Sequence, residues 1–384
     1  METVLYLTED GRSTSVRDKL AGIRRFCSSR GWEARMVHRP AFPPGELAGI
    51  LRERHPVGCI VDGVGNNVNL PPRLFRGVPV TYIGYMRGRT GSLPNFHFNT
   101  TAIAEAAFRE LSAGMPPCYA AVGFPLPARW SRQRVDAFRG FASAAGATCH
   151  VFFATNGSRD DFVAHLAVWL AKLPEHCAVF AVSDTVAILV EKAARQAMRH
   201  IPRSLTLVSV DNFPELCDSA EPPISSIQLD FERMGFLAAR ALGEEIAGHP
   251  GTRPNRGPLL VDPLMVVRRK STSGSGRHEQ FVLDAVEIIR REACDGLAVR
   301  SLLDRFPQSR RNFERRFREA TGHSILDEIQ HVRLERVCTL LAQTDMALGA
   351  IPGFCGFDCP RTLHALFQSR FHTSMRDWRK RNAR

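Results

Sequence analysis

Along the first 270 residues, hydrophobic and polar positions alternate between two rhythms. Short, nearly continuous apolar runs predict buried β-strands, and the longer segments between them have apolar residues every three or four positions, as in amphipathic helices. The predicted strands are residues 4–7, 34–37, 59–61, 78–83, 119–122, 149–153, 179–182 and 205–210. The predicted helices are residues 16–28, 101–111, 132–145, 162–173 and 185–199. This alternation predicts βαβ units and parallel sheets covered by helices on both faces.

The length of this α/β region predicts two lobes, because a single sheet with its helices usually needs fewer residues. We expect the chain to cross between the lobes at residues 96–101 and again near Gln228, since a further helix is predicted at residues 231–246. Ligands of open α/β sheets bind outside the carboxyl ends of the strands, so the lobes would enclose a ligand cleft.

The C-terminal region changes to a purely helical rhythm. A short amphipathic helix is predicted at residues 299–306. A second helix follows, with Ser309 at its N-cap, Phe313 and Phe317 on its buried side and Gly322 at its C-cap. Its arginines point away from that buried side. They are Arg310, Arg311, Arg315 and Arg318. Two short helices joined by a tight turn, the second basic and exposed, predict a helix-turn-helix whose second helix fits the DNA major groove.

The motif recurs about fifty residues later, after a long predicted helix at residues 326–342. This internal duplication predicts two helix-turn-helix units. The second unit carries Pro352 at a predicted helix-interior position, where proline costs roughly 3 kcal/mol, so we expect it to bind DNA more weakly. Pro360 suits the first turn of the second recognition helix.

Polar residues gather at the predicted strand ends of the α/β region. Asp184 and Asp211 each follow an apolar strand, Trp130 and Arg134 lie at the start of a helix, and Gln228 ends another strand. Carboxylates, a guanidinium and an aromatic ring suit a sugar, whose hydroxyls need donors and acceptors and whose CH face needs an apolar surface. Either aspartate taken alone is more typical of a helix cap than of a ligand contact.

Composition narrows the function. The chain has 384 residues, of which 44% are hydrophobic, as in a folded globular protein. Its net charge of +12 and its pI near 9.6 favour a polyanionic partner. No apolar run is long enough to span a membrane and no signal peptide precedes the first strand, so we expect a cytoplasmic protein without a membrane partner. No nucleophile elbow, Walker loop or dinucleotide fingerprint occurs, which argues against an enzyme and against a cofactor.

The ten cysteines are scattered, as expected for free thiols in a reducing compartment. Cys355 and Cys359, with His364 and His372, match no common zinc spacing, so no metal site is predicted.

The C-terminal part resembles the AraC-type DNA-binding domain over residues 279–379. The resemblance rests on a set of motifs in a fixed order: Ser309-x-x-x-Phe313-x-Arg315-x-Phe317, Gly322-x-Ser324, Arg333-Leu334, Leu340-Leu341, Gly356-Phe357 and Trp378-Arg379. The second unit departs from the family pattern at Pro352, His372 and Met375.

The α/β part resembles the LacI-type, periplasmic-binding-protein-like sensor over residues 3–270. The matching segments are Ala181-Val182-Ser183-Asp184, Pro202-x-x-Leu205-x-Leu207-Val208-Ser209-Val210-Asp211-Asn212, Arg134-x-x-Ala137-Phe138 and Met234-Gly235-x-x-Ala238. The resemblance implies that Arg134 and Asp211 hold ligand hydroxyls, that Asp184 lies nearby and that Gln228 is a contact on the hinge side. A LacI-like sensor followed by an AraC-like domain is the arrangement of xylose-operon regulators, so xylose is the leading candidate effector. Homodimerisation is also expected from this resemblance.

The predicted organisation is a two-lobed α/β sensor at residues 1–267, a basic, Gly- and Ser-rich linker at 268–278 and an all-α AraC-type domain at 279–384. The candidate DNA-binding residues are Arg310, Arg311, Glu314 and Arg315 in the first unit and Arg361, Thr362 and His364 in the second. Arg311 and Arg315 would read bases, with Arg310 or Arg316 nearer the phosphates.

The sequence therefore predicts a regulator that binds double-stranded promoter DNA and a small neutral sugar, and that contacts RNA polymerase if it is an activator. Two alternatives remain open. The first is a DNA-binding regulator without a sugar ligand, and the second is a sugar-binding module whose helix-turn-helix units do not bind DNA.

Overall fold

The computed structural model describes residues 2–11, 13–63, 70–75, 77–85, 93–124, 128–153, 159–248, 258–272, 280–344 and 346–382. The chain divides into two compact units, Met1–Gly274 and Ser275–Arg384. Among the residues described, no helix is long and apolar enough to cross a membrane.

Twelve strands are described in the first unit. They are β1 (Thr3–Thr8), β2 (Glu33–His38), β3 (Gly58–Asp62), β4 (Val80–Ile83), β5 (Asn95–Phe98), β6 (Tyr119–Val122), β7 (Cys149–Phe152), β8 (Cys177–Ala181), β9 (Leu205–Asp211), β10 (Ser225–Gln228), β11 (Leu259–Val261) and β12 (Met265–Val267). Its helices are α1 (Thr14–Ser29), α2 (Pro44–Arg54), α3 (Thr100–Ser112), α4 (Arg129–Ala144), α5 (Arg159–Ala171), α6 (Asp184–Gln196), α7 (Pro214–Cys217) and α8 (Phe231–Ile246). All eight predicted strands and all six predicted helices are present.

The strands form two six-stranded sheets with the same connectivity. The order is β11-β5-β4-β3-β1-β2 in the first sheet and β12-β10-β9-β8-β6-β7 in the second. Every described pairing is parallel except β10 with β12, which is antiparallel. We call the first sheet with α1, α2 and α8 lobe 1, and the second sheet with α3 to α7 lobe 2. The prediction of a two-lobed parallel α/β fold is confirmed.

The chain crosses between the lobes at the two predicted places. Residues 95–98 form a strand of lobe 1 rather than a simple connection, and the chain enters lobe 2 at Asn99, whose side chain caps α3. The second crossing follows Gln228, where β10 of lobe 2 leads into α8 of lobe 1. A third crossing joins β11 to β12.

Two glycines bring α1 and α8 into backbone contact in lobe 1. A Cβ atom on Gly22 would lie 1.9 Å from the Glu232 carbonyl oxygen, and one on Gly235 would lie 1.9 Å from the Lys19 carbonyl oxygen. No side chain larger than hydrogen fits at either position. The backbones of α1 and α8 are therefore in direct contact, and this contact fixes the position of each helix relative to the other. The position of Lys19 therefore depends on this contact.

The first residues of the predicted linker belong to lobe 2, which differs from the prediction that the linker begins at residue 268. Ser271 is fully buried in a 3₁₀ turn (Lys270–Thr272), and its hydroxyl donates to the Leu207 carbonyl oxygen at 2.6 Å. Arg268 pairs with Glu110 at 2.7 Å, and Arg269 is buried. These arginines looked like solvated linker residues because their partners are distant in sequence. Residues 273–278 of the predicted linker lie outside the described residues.

The described residues of the second unit form helices joined by turns, without a strand. It contains α9 (Gln280–Glu292), α10 (Val299–Leu303), α11 (Arg310–Thr321), α12 (Ile325–Gln343), α13 (Ile351–Phe354), α14 (Pro360–Phe371) and α15 (Met375–Asn382). The duplication is in register, since α11 and α14 have twelve residues each and start fifty residues apart. Each ends on a left-handed residue, Gly322 and His372, and each is followed by a serine that caps the next helix, Ser324 and Ser374.

The expected disruption by Pro352 is not observed. The helix α13 begins at Ile351, so the proline lies in its first turn, where no amide partner is lost. The prediction of a helix-interior proline was wrong because the pattern suggested a longer helix. Pro360 occupies the first turn of α14, as predicted.

Candidate functional site

A cleft of about 760 Å³ lies within the first unit between the two lobes. Lobe 2 contributes Trp130, Arg134 and Asp211, three of the five residues predicted to bind a ligand. The lining also includes aromatic side chains of the crossing segments, among them Phe98 and Phe231, whose ring centroids are 5.2 Å apart. The walls thus combine apolar rings with charged groups, as small-molecule sites do.

Arg134 is held from three sides on α4. Its Nη1 donates to the Val182 carbonyl oxygen at 2.6 Å and lies 3.8 Å from Asp211 Oδ1. Its guanidinium lies 5.0 Å from the centre of the Trp130 ring. Burial lowers the pKa of Arg134, and the carboxylates of Asp211 and Asp184 oppose that shift. A guanidinium fixed in this way is oriented before any ligand arrives.

Asp211 ends β9 in an unusual backbone conformation. Its φ is 107° and that of Asn212 is 55°, both in the region that side-chain-bearing residues rarely adopt. Burial raises the pKa of Asp211 to about 7, while Arg134 and Lys19 lower it. Such strain is kept only where surrounding contacts enforce it, and it concentrates at functional sites.

Asp184 enforces this corner from behind the cleft. It is fully buried and is not among the described lining residues. Its carboxylate accepts hydrogen bonds from the Ser209 hydroxyl, from the Ser226 hydroxyl at 2.6 Å and from the Phe213 amide at 2.7 Å. Ser226 in turn accepts the Asn212 amide at 3.0 Å. Asp184 therefore positions the strand end that carries Asp211, rather than facing the cleft.

Gln228 also lies outside the described lining. Its Oε1 accepts from Asn212 Nδ2 at 2.6 Å, and its Nε2 donates to the Leu229 carbonyl oxygen at 2.9 Å. On its other side, Asn212 Oδ1 accepts from Arg269 Nη1 at 2.8 Å. The residue beside Asp211 is thus hydrogen-bonded to the segment through which the chain leaves lobe 2.

Lobe 1 contributes residues that the sequence did not single out. They include Lys19, Tyr85, Asn95 and His97. Asn95 Nδ2 donates to the Tyr85 carbonyl oxygen at 2.8 Å, and burial lowers the pKa of His97. The alternation of polar and apolar residues in 95–98 was the available signal for a strand with one face on the cleft.

The second unit presents its predicted DNA-binding residues on two exposed helix surfaces. On α11, Arg311 and Arg315 are exposed, and Arg310 Nε pairs with Glu314 Oε1 at 2.9 Å. On α14, the predicted residues Arg361, Thr362 and His364 are all exposed.

The opposite sides of these helices are anchored in the core. Phe313 and Phe317 are fully buried, as are Leu363 and Phe367 fifty residues later. The centroids of the Phe306 and Phe313 rings are 4.9 Å apart, which ties α11 to the turn that follows α10. Each helix-turn-helix motif therefore holds its second helix with the polar side exposed, as a helix that enters a DNA groove requires.

Arg333 joins the two helix-turn-helix units from α12. Its Nε donates to the Ala293 carbonyl oxygen at 2.8 Å and its Nη2 to the Leu297 carbonyl oxygen at 2.9 Å, while its guanidinium lies 5.5 Å from the Phe357 ring. Gly356 approaches the same Ala293 carbonyl so closely that a Cβ atom would be 2.6 Å away.

Two family models match the chain. A periplasmic binding protein-like domain matches residues 119–272, and a helix-turn-helix domain matches residues 302–381. The Xylose operon regulatory protein of Escherichia coli strain K12 is 27% identical over 317 residues, covering 80% of this chain and 79% of the relative. Its counterpart in Haemophilus influenzae is 25% identical over 310 residues, covering 79% of each chain.

Solved structures share the fold. The structure of a xylose-binding transcription activator has a TM-score of 0.58 at 22% identity and covers 100% of this chain and 99% of its own. A ribose operon repressor from Lactobacillus acidophilus has a TM-score of 0.59 at 20% identity and covers 71% of this chain and 98% of its own.

The fold, the cleft and these similarities define a DNA-binding transcription regulator in which a periplasmic-binding-protein-like sensor precedes an AraC-type helix-turn-helix domain. Within that class, the chain is homologous to the xylose operon regulatory proteins.

Proposed function

We propose that the regulator senses a small neutral sugar, with D-xylose as the leading candidate, in the cleft between its lobes. The observation that carries this proposal is the Arg134–Asp211 pair beside Trp130 on the cleft wall. The names of the relatives, which are regulators of xylose operons, support the choice of a pentose.

The cleft chemistry suits sugar hydroxyls. The Asp211 carboxylate accepts hydrogen bonds and the Arg134 guanidinium donates them, so neighbouring hydroxyls can bridge the two groups. Trp130 offers an apolar surface for the CH face of the ring. Asp184 and Gln228 act indirectly, because they hold the strand end and Asn212 in place.

Sugar binding is proposed to close the lobes and so to change how the second unit engages DNA. A ligand shifts such an equilibrium only through its different affinity for the two states. The hydrogen bond that Arg269 donates to Asn212 links the residue beside Asp211 to the segment through which the chain leaves lobe 2.

On DNA, Arg311 and Arg315 are proposed to reach base edges from α11, with Arg310 nearer the phosphates. Arginine reads guanine through paired donors. The equivalent surface of α14 carries Arg361, Thr362 and His364. Because Pro352 lies in the first turn of α13, there is no longer a reason to expect weaker DNA binding by the second helix-turn-helix. The functional form is proposed to be a homodimer in the cytoplasm that contacts RNA polymerase if it activates.

The test is calorimetry of the full-length chain with a panel of monosaccharides. We expect a pentose to bind wild type and Asp211→Ala to lose at least about 1.5–3 kcal/mol of binding free energy, the contribution of a hydrogen bond to a charged group. If no monosaccharide binds wild type, the ligand-free regulator becomes the better account. DNA binding that does not weaken with salt would instead favour a sugar-binding module, because phosphate contacts make affinity fall steeply with salt.

A further inference from the structure

Lobe 1 buries an ion pair at the edge of the cleft. Lys19 on α1 lines the cleft, yet its side chain is only 4% exposed and its Nζ contacts Asp62 Oδ2 at the end of β3. The Tyr6 hydroxyl donates to the same carboxylate oxygen at 2.5 Å. Removing both charges from water costs about as much free energy as their attraction returns. The buried pair is therefore weak evidence for a stabilising role, and a functional role becomes the better explanation of its presence.

The pair occupies the position in lobe 1 that Arg134 occupies in lobe 2. Both sheets have the same strand order, and α1 and α4 are the helices that follow the first strand of each lobe. Lys19 is the sixth residue of α1 and Arg134 is the sixth residue of α4. Each cation reaches towards the carboxyl end of a neighbouring strand, Lys19 to Asp62 and Arg134 to the Val182 carbonyl.

Lys19 and Arg134 both line the cleft between the lobes. Lys19 acts electrostatically on Asp211, since its charge lowers the pKa of that carboxyl across the cleft. Each of these two cations is matched by a carboxylate of its own lobe, Asp62 for Lys19 and Asp211 for Arg134.

From this arrangement we infer that Lys19 is the lobe 1 contact to the effector and that Asp62 sets its charge selectivity. The inference rests on the proposed sugar-sensing function. A neutral polyol can exchange hydrogen bonds with both pairs without changing the charge of the site. A sugar acid or sugar phosphate would bring an anion to cations that are already paired with carboxylates.

The test compares D-xylose with D-xylonate, the anion of its sugar acid, by calorimetry on the full-length protein at pH 8, above the raised pKa of Asp211. Wild type is expected to bind D-xylose at least about tenfold more tightly than D-xylonate, a difference of about 1.4 kcal/mol. Asp62→Asn leaves the Lys19 charge unmatched and should shift the affinity ratio towards D-xylonate by about tenfold or more. Glu33→Gln, which removes an exposed carboxylate from β2 of the same lobe, is the control and should leave the ratio unchanged.

A double variant, Lys19→Met with Asp62→Leu, separates charge from packing. It removes both charges, and we expect it to show no shift towards D-xylonate. An equal shift in the double variant would mean that a loosened cleft, and not the lysine charge, admits the anion, and would overturn the inference.

The outcomes for the inference and for the proposed function differ. Wild type that binds D-xylose and D-xylonate equally overturns the inference even if Asp62→Asn does not fold. An unchanged ratio in a folded Asp62→Asn protein does the same, and in both cases sugar sensing stands. Wild type that binds no monosaccharide overturns the proposed function, and this inference with it.

Discussion

The Asp211 carboxyl is predicted to make the sensor less stable as the pH rises, and Asp211→Asn is predicted to remove that loss. Burial raises its pKa from 3.8 to about 7 in the folded protein. Between these two values the unfolded chain has released the proton while the folded chain still holds it. Stability therefore falls as the pH rises through this window and is lowest above pH 7.

The size of the effect follows from the shift. Three pKa units correspond to about 4 kcal/mol. Because the Asp211 side chain is 17% exposed, water relieves part of the burial, and we expect about 2–4 kcal/mol. The asparagine mimics the protonated form, so the variant should match wild type near pH 4 and exceed it in stability at pH 8.

Calorimetric melting of the full-length protein between pH 4 and pH 8 measures this difference. The melting temperature of Asp211→Asn should rise above that of wild type by several degrees at pH 8, although the variant loses sugar affinity. Glu53→Gln changes a carboxylate that is 74% exposed and serves as the control, with a profile parallel to wild type. A variant that is less stable than wild type at pH 8, or offset equally at every pH, would refute the reasoning.

Three further predictions concern other parts of the chain. Arg315→Ala should weaken binding to the cognate DNA site by about 1–3 kcal/mol and relax specificity at one base pair, measured by competition with mutated sites; equal weakening on all sequences would contradict base reading. Gly235→Ala should cost about 1–3 kcal/mol or more in melting experiments, because its Cβ would overlap the Lys19 carbonyl, whereas Gly140→Ala meets nothing within 4 Å and should be harmless. Arg333→Met leaves two carbonyl groups without their donor and should speed amide exchange in α12, by an opening free energy about 2–4 kcal/mol lower; unchanged exchange would show that the arginine does not join the units.

The sequence predicted the elements whose signal is local. Strong apolar runs located eight of the twelve described strands, and the duplicated spacing located α11 and α14. The strands β11 and β12 have three residues each, too few for a periodic signal in the sequence. They form by pairing with β5 and β10, at one edge of each sheet. The helix α2 was missed because Pro43, Pro44 and Gly45 are typical of a turn, although here the second proline opens the helix.

In the candidate site, too, the residues with a local sequence signal were predicted and those placed only by the fold were missed. Arg134 and Asp211 were predicted because each stands at an element boundary in a recognisable motif. Lys19 was missed because a lysine within a helix is typical of a solvated surface, and only the fold brings Asp62 and Tyr6 to it. Asp184 was predicted from its strand end, but the direction of its side chain is set by Ser209 and Ser226, which come from later strands.

The central claim is that a sugar in the cleft controls how this regulator binds DNA. The most direct measurement is the affinity of the full-length protein for its promoter fragment at fixed salt, with and without saturating D-xylose, for wild type and for Asp211→Ala. We predict that D-xylose changes the wild-type affinity by about fivefold or more, the usual lower range of allosteric coupling, and that the variant binds DNA but ignores the sugar. A wild-type affinity that is the same with and without D-xylose and every other pentose, at concentrations where calorimetry shows the cleft to be occupied, would contradict the account.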